Sequence, residues 1–282
     1  MPSLLKTIKN ALCRLLQARW AVAFWVDGRL MVVGNPYRDR WFADPFIVDA
    51  DDKTITLLVE DFSLQTLKGS ISELTIDRAT WKICQRRPVL EEPLQLSFPY
   101  IVRREGDRVW FMPESSRANR LSLYCYNRAD GSCRRERDLV AVDLSDSIML
   151  DGYVLATQGE GLNGDTLHLY RKQGENYMAS QPLVFKERVA RNAGAVFEHQ
   201  GKRYRPAQVC NEWYGEALSI QEITGEVGRW TMAEVRRLTP PPGFEGLHTL
   251  NTYNDLWVTD LKYYPHPWLS KWAYVMMGRT DL

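Results

Sequence analysis

Three acidic residues stand where a carboxylate could do chemistry. Asp44 lies between Ala43 and Pro45, and the proline removes a backbone donor and fixes the approach of the chain. Glu114 sits in Met112-Pro113-Glu114-Ser115, and Asp146 opens Asp146-Ser147-Ile148. Glycosyl chemistry needs such a set: one carboxylate serves as base or nucleophile, and a second carboxyl, kept protonated, acts as acid on the leaving oxygen. In that scheme Asp44 is the base, Glu114 the acid, and Asp146 tunes the other two or orients the sugar. The competing reading makes each a strand-end cap or an ion-pair partner. Glu60 reads as a structural partner for an arginine.

Cationic and amide side chains accompany the acids. Arg191 and Arg205 match phosphate or carboxylate bidentately, so a nucleotide sugar, a sugar phosphate or an acidic sugar fits; alternatively, each neutralises a nearby carboxylate. His248 could donate to a phosphate, act as acid and base, or hold structure. Asn192, Gln208 and Asn251 are candidate hydroxyl binders, and Tyr214 with Trp213 could stack on a sugar or pack in the core. The sequence carries no GxxxxGK[ST], no HExxH, no GxSxG, no GxGxxG after a strand and no histidine pair at metal-ligand spacing. No cofactor and no metal are expected.

What would bring residues so far apart together is a repeat. Asp44-Pro45-Phe46-Ile47-Val48 and Phe98-Pro99-Tyr100-Ile101-Val102 each lead through a polar turn and a second apolar strand to an acid, Glu60 and Glu114, at equal distance. Further units open near 146, 191 and 246. Starts at intervals of about fifty residues, each a sheet that cannot bury its face alone, predict an all-β, five-bladed β-propeller over residues 20–282. The strand near Ala21–Val26 would complete the last blade and close the ring. First strands of blades line the axis, so the residues opening them converge.

Composition agrees with this. Ten Trp and thirteen Tyr in 282 residues suit strands and sugar-binding surfaces. A net charge of +1 gives no basic field for nucleic acid. Five cysteines without a CxxC favour a reducing compartment, and hence a cytoplasmic location. Residues 1–19 differ: Leu4, Leu5, Ile8, Leu12, Leu15 and Leu16 recur at helical spacing with Lys6, Lys9, Arg14 and Arg19 among them. This predicts a short amphipathic helix lying on an anionic membrane surface at its inner face, or packed on the propeller or a partner subunit.

The ordered motifs Trp41-Phe42-Ala43-Asp44-Pro45-Phe46, Ser97-Phe98-Pro99-Tyr100, Met112-Pro113-Glu114, Asp146-Ser147, Arg191-Asn192-Ala193-Gly194, Tyr204-Arg205-Pro206-Ala207-Gln208, Tyr214-Gly215 and Gly246-Leu247-His248-Thr249-Leu250-Asn251 resemble the propeller of glucosamine inositolphosphorylceramide transferase-type proteins and their bacterial polysaccharide-synthesis relatives. More distantly, the architecture is similar to the propellers of glycoside hydrolase families 32, 43 and 68. There a first-blade Asp acts as nucleophile or base, which Asp44 matches, Asp146 matches a third-blade Asp, and for the acid Glu the resemblance offers Glu114 on the second blade or Glu216 on the fourth. The plant transferase carries a separate transferase domain after its propeller, so the resemblance does not carry that activity over; the funnel arginines, the basic N-terminal helix and the lack of a secretion signal instead point to a glycosyltransferase-like enzyme of cell-surface glycan synthesis using an anionic donor such as a nucleotide sugar. A glycoside hydrolase or phosphorylase with paired carboxylates, and a non-catalytic glycan-binding module, are the alternatives.

Overall fold

The structure, a computed structural model, describes residues 16–115, 117–159 and 163–270. Strands β1 (Arg19–Val26) and β2 (Arg29–Val32) come first. Blade one follows as β3 (Arg40–Ala50), β4 (Thr54–Ser63), β5 (Lys68–Asp77) and β6 (Lys82–Leu90). Blade two is β7 (Leu96–Glu105), β8 (Arg108–Ser115), β9 (Leu121–Asn127) and β10 (Cys133–Val140). Blade three is β11 (Ser145–Leu150), β12 (Tyr153–Thr157), β13 (Thr166–Gln173) and β14 (Asn176–Ala179), with β15 (Leu183–Val184) also paired to β13. Blade four is β16 (Phe197–His199), β17 (Lys202–Val209), β18 (Ala217–Glu226) and β19 (Arg229–Leu238). Finally β20 (Leu250–Tyr253) and β21 (Leu256–Tyr263) join the first two strands in the order β2-β1-β21-β20. The result is the expected five-bladed propeller, closed by the strand that contains Ala21–Val26.

The middle strands bury nearly continuous runs, such as Ile55–Asp61 of β4, because neighbouring blades cover both faces of each sheet. Outer strands such as β6 are largely exposed. Core clusters accordingly bridge blades: Phe24 and Val258 of the closing blade pack with Phe42, Ile47 and Leu57 of blade one.

Three blades open with the same distortion. Asp44, Phe98 and Asp146 have φ of 49°, 44° and 46°, each inside a register shift between Ala43 and Phe46, Ser97 and Tyr100, and Ser145 and Ile148. A left-handed conformation at a non-glycine residue costs roughly 1–2 kcal/mol, and a bulge is the device that re-aims a side chain. Two of these residues are the acids singled out above; in blade two the place is taken by Phe98, edge-on to Phe46 at 5.1 Å.

Polar side chains then stitch the blades together near the axis. Asn251 donates to Pro45 O at 2.9 Å and accepts from Ala195 N at 2.8 Å, linking three blades. Asn192 donates to Asp146 O and Leu155 O, joining blade four to blade three. Gly194, at φ 142°, lets Ala193 O accept from Leu250 N; a Cβ there would stand 2.1 Å from Leu250 O.

Two expectations need correction. The amphipathic helix over 1–19 gains no support: residues 1–15 lie outside the described residues, and Arg19 already opens β1, drawn there by pairing with Tyr263. The openings of blades four and five are also not strands. Residues 191–194 and 246–249 run to β16 and β20 as extended connections, held by single bridges from Asn192 to Ala207 and from Gly246 to Lys262.

Candidate active site

Every blade has one end where its inner hairpin turns, at 51–53, 106–107, 151–152, 200–201 and 254–255, and an opposite end, here called the mouth. Asp44 and Asp146 lie near the mouth-side starts of β3 and β11, and Glu60, Glu114 and Asp260 near the mouth-side ends of β4, β8 and β21. The distorted backbone at each opening is held by an acid from the blade before it in the ring. Asp260 Oδ2 accepts from Asp44 N at 2.8 Å, Glu114 Oε2 from Asp146 N at 3.0 Å, and Asp44 Oδ2 from Phe98 N at 3.0 Å.

The acids divide between two cations. His248 Nδ1 lies 2.7 Å from Asp260 Oδ1, and its Nε2 lies 3.5 Å from Asp44 Oδ1. Thr249 Oγ1 is within 2.8 Å of both Asp44 Oδ1 and Asp260 Oδ2. On the other side, Arg191 Nε donates to Asp146 Oδ2 at 2.5 Å, and its Nη2 stands 3.5 Å from Glu114 Oε2. Gln208 Nε2 donates to the same Asp146 oxygen at 2.7 Å.

Carboxylates outnumber cations here, so protons are retained. Burial pushes Asp44 up to about 6, with His248 opposing the rise and Asp260 and Asp146 adding to it. Burial, followed by the Asp146 charge, pushes Glu114 up to about 8 against the pull of Arg191. Burial also holds Glu60 well above the carboxylate range, helped by Asp44 and Glu114. Asp260 goes the other way: burial works against its charge, but His248 and the surrounding donors keep it below the usual value. His248 is opposed by burial and raised by Asp260 and Asp44. The molecule therefore holds a carboxyl able to accept a proton near neutrality, Asp44, and one able to give it, Glu114.

Aromatic rings cover the cluster. Trp20 stacks on His248 with centroids 3.7 Å apart, Tyr214 stands edge-on to His248 at 5.3 Å, and Arg191 Cζ lies 4.9 Å from the Tyr214 centroid. A cavity of about 360 Å³ lined by Val33, Phe42, Ile83 and Tyr263 adjoins the indole of Trp20. A larger, mainly apolar cleft of about 560 Å³ lies between blades four and five and does not reach the acids. Asp44, His248 and Asp260 bring their donor atoms within 4.8 Å of one another, a set able to hold a cation. An ion there would have to displace the hydrogen bond between His248 and Asp260.

Asp44, Glu114, Asp146, Arg191, Gln208, Tyr214 and His248 thus come together at the mouth. Arg205 does not face a ligand: fully buried, it gives its N–H groups to Asn192 Oδ1, Val189 O, Ala190 O and Gln221 Oε1, and burial lowers it to about 9. Asn192 and Asn251 spend their amides on the ring, and Glu216 accepts from Glu212 N within its own loop. Sequence reasoning missed Asp260, Thr249 and Trp20. Asp260 had a signal, for it is the second-strand acid of unit five, as Glu60 and Glu114 are of units one and two.

Residues 2–158 match the family described as glucosamine inositolphosphorylceramide transferase 1, N-terminal. The chain belongs to that family. It is 28% identical over 207 residues to glucosamine inositolphosphorylceramide transferase 1 of Oryza sativa subsp. japonica, covering 66% of this chain and 27% of the relative. It is equally 28% identical over 205 residues to the Arabidopsis thaliana protein of that name, covering 65% and 26%. The chain thus spans about a quarter of the length of these plant relatives. Among solved structures, a GH43_1 enzyme from Xanthomonas citri complexed with xylose superposes with a TM-score of 0.54 at 11% identity, covering 80% of this chain and 87% of that one. An exo-β-1,3-galactanase from Phanerochaete chrysosporium gives 0.52 at 10% identity, with coverage of 83% and 58%. These two likenesses establish the fold.

Proposed function

We propose that this propeller is a glycosyltransferase-like enzyme of glycolipid or polysaccharide synthesis, taking an anionic sugar donor at the mouth. The observation that carries the reading is the separation of the two acids, Asp44 titrating at about 6 and Glu114 at about 8 among the same buried groups. In the transfer, the acceptor hydroxyl bonds to the anomeric carbon and its proton passes to Asp44. The bond from that carbon to the leaving oxygen breaks, and Glu114 protonates that oxygen. Arg191, already beside Glu114 and Asp146, meets the anionic part of the donor. Trp20 and Tyr214 part to admit it, and the cavity beside Trp20 gives the indole room. The family name of the plant relatives supports a glycolipid acceptor.

A hydrolase using the same acids is the second reading, favoured by the likeness to the xylose-bound enzyme fold. One experiment separates the two. The wild-type chain and Asp44→Asn are incubated with a panel of nucleotide sugars plus a glycolipid extract, and in parallel with aryl glycosides. Turnover of a nucleotide sugar that Asp44→Asn abolishes, with the variant still folded, supports transfer; release of aryl alcohol alone supports hydrolysis. An Asp44→Asn variant as active as wild type overturns both.

A further inference from the structure

The two ends of the propeller differ in kind. At the hairpin end the turns are rich in acid (Asp27, Asp51-Asp52, Asp107, Asp130, Asp151 and Asp255), and the β18–β19 turn there exposes Val227 (59%). At the mouth end, successive connections expose large apolar side chains. Leu94 lies between blades one and two (37% exposed), Val142 between blades two and three (39%), and Trp213 in the β17–β18 connection (38%). Beyond β21, in the helical segment at 267–270, Trp268 is 88% and Leu269 57% exposed. Soluble surfaces leave single apolar residues exposed, but here they recur around one opening.

Both ends of the described residues lie at this end as well. Arg19 pairs with Tyr263 at the mouth-side edge of blade five, and Ser270 Oγ donates to Leu16 O at 3.0 Å. The sequence before Leu16 carries Lys6, Lys9 and Arg14 with no acid. The mouth connections themselves carry both signs, Arg38, Arg117 and Arg188 with Glu91, Asp143 and Glu212, so the basic bias comes from the N-terminal residues.

We propose that the mouth rim docks flat on an anionic bilayer, with Trp268 and Leu269 as its main anchor and Leu94, Val142 and Trp213 as further contacts. A plane is the partner that can touch side chains spread around a ring at once. The acid-rich hairpin end would be repelled by the same surface, which fixes the orientation. Trp at the interface and basic residues beside it are the groups such a surface takes up. The arrangement points the covered carboxylates at the headgroups, so that a lipid-borne acceptor meets Asp44 without leaving the membrane. This last step rests on the function proposed above; the docking itself does not.

The test uses the full chain and flotation with vesicles of phosphatidylcholine alone or of equal parts phosphatidylcholine and phosphatidylglycerol. Wild type should float with the anionic vesicles. The pair Trp268→Ser and Leu269→Ser should lower partition about tenfold or more, and Leu94→Ser with Val142→Ser should lower it independently, which decides the matter if the first pair folds poorly. Val227→Ser, in the turn between β18 and β19 at the hairpin end, should float as wild type does, and so should Asp44→Asn whatever its turnover. Three results would overturn the proposal: no flotation of wild type, undiminished flotation of both rim pairs, or sedimentation showing that the rim holds two copies together without binding lipid.

Discussion

Replacing Glu114 with Gln removes a charge but keeps the shape and an oxygen for Asp146 N. Glu114 titrates at about 8 instead of 4.5. A group whose acid form is favoured by folding loses stability as pH rises: nothing is lost below the unfolded value near 4.5, and the loss grows up to the folded value near 8. At about 1.4 kcal/mol per pH unit, this amounts to about 4 kcal/mol at pH 8. Arg191 does not cancel it, because its guanidinium stands 2.5 Å from Asp146 but 3.5 Å from Glu114. Glu114→Gln should therefore leave Tm nearly unchanged at pH 5 and raise it at pH 8. The rise should be several degrees, since each kcal/mol moves a chain of this size by about 2 °C. Scanning calorimetry of both proteins from pH 5 to 9 reads the difference. A fall in Tm at pH 8 would show that Glu114 is ionised and serves as counter-ion to Arg191, and the assignment of Glu114 as acid would go with it.

The other expected outcomes follow the same cluster and its frame. Wild-type stability should peak on the acid side of neutrality in a pH series of urea melts. Asp44 adds to the loss between about 4 and 6, and the raised His248 contributes stability below its ordinary 6.5 that disappears at higher pH; the lowered Asp260 sets the acid limit, its share vanishing as pH falls below 3.8. A flat profile from pH 5 to 8 would contradict this. Arg191→Ala should weaken binding of a charged donor by about 2–5 kcal/mol, measured by calorimetric titration. Arg205→Ala should cost at least about 4 kcal/mol in urea denaturation, because four oxygens lose their buried donor; a cost below about 1 kcal/mol would contradict the structural role. Gly194→Ala should cost more than about 3 kcal/mol, since its Cβ has no space against Leu250 O, and an unchanged melt would refute the reading of the blade four to blade five seam.

The blade openings were legible in sequence because a bulge leaves a local trace. Pro45 and Pro99 follow Asp44 and Phe98, an acid recurs at a fixed distance, and the same left-handed residue stands at both places. The closing strand was legible because the apolar run Ala21–Val26 at the start had no other sheet to join. What could not be read were roles set across the ring. Asn192, Asn251 and Arg205 look like ligand binders in a one-dimensional pattern, yet their partners are backbone oxygens and amides that only closure brings near. Asp260 and His248 are twelve residues apart with Thr249 between them in function, and no spacing rule shows that Trp20, at the far end of the chain, lies on that imidazole.

The pairing of β1 with β21 also governs how the protein can be made. Among the described strands the first pairs with the last, from Arg19 opposite Tyr263 to Trp25 opposite Trp257. Until β21 is made, the β21-facing edge of β1 is open and β2 covers the other edge only along Ala23–Val26, with Trp20, Phe24 and Trp25 uncovered, and β1 is the kind of segment that joins other chains. Such long-range pairing also slows closure. A nascent chain stalled after blade four should therefore be the aggregating species, and a circular permutant that begins at β20 and runs through a short linker from Tyr263 into β1 should fold faster than the natural order.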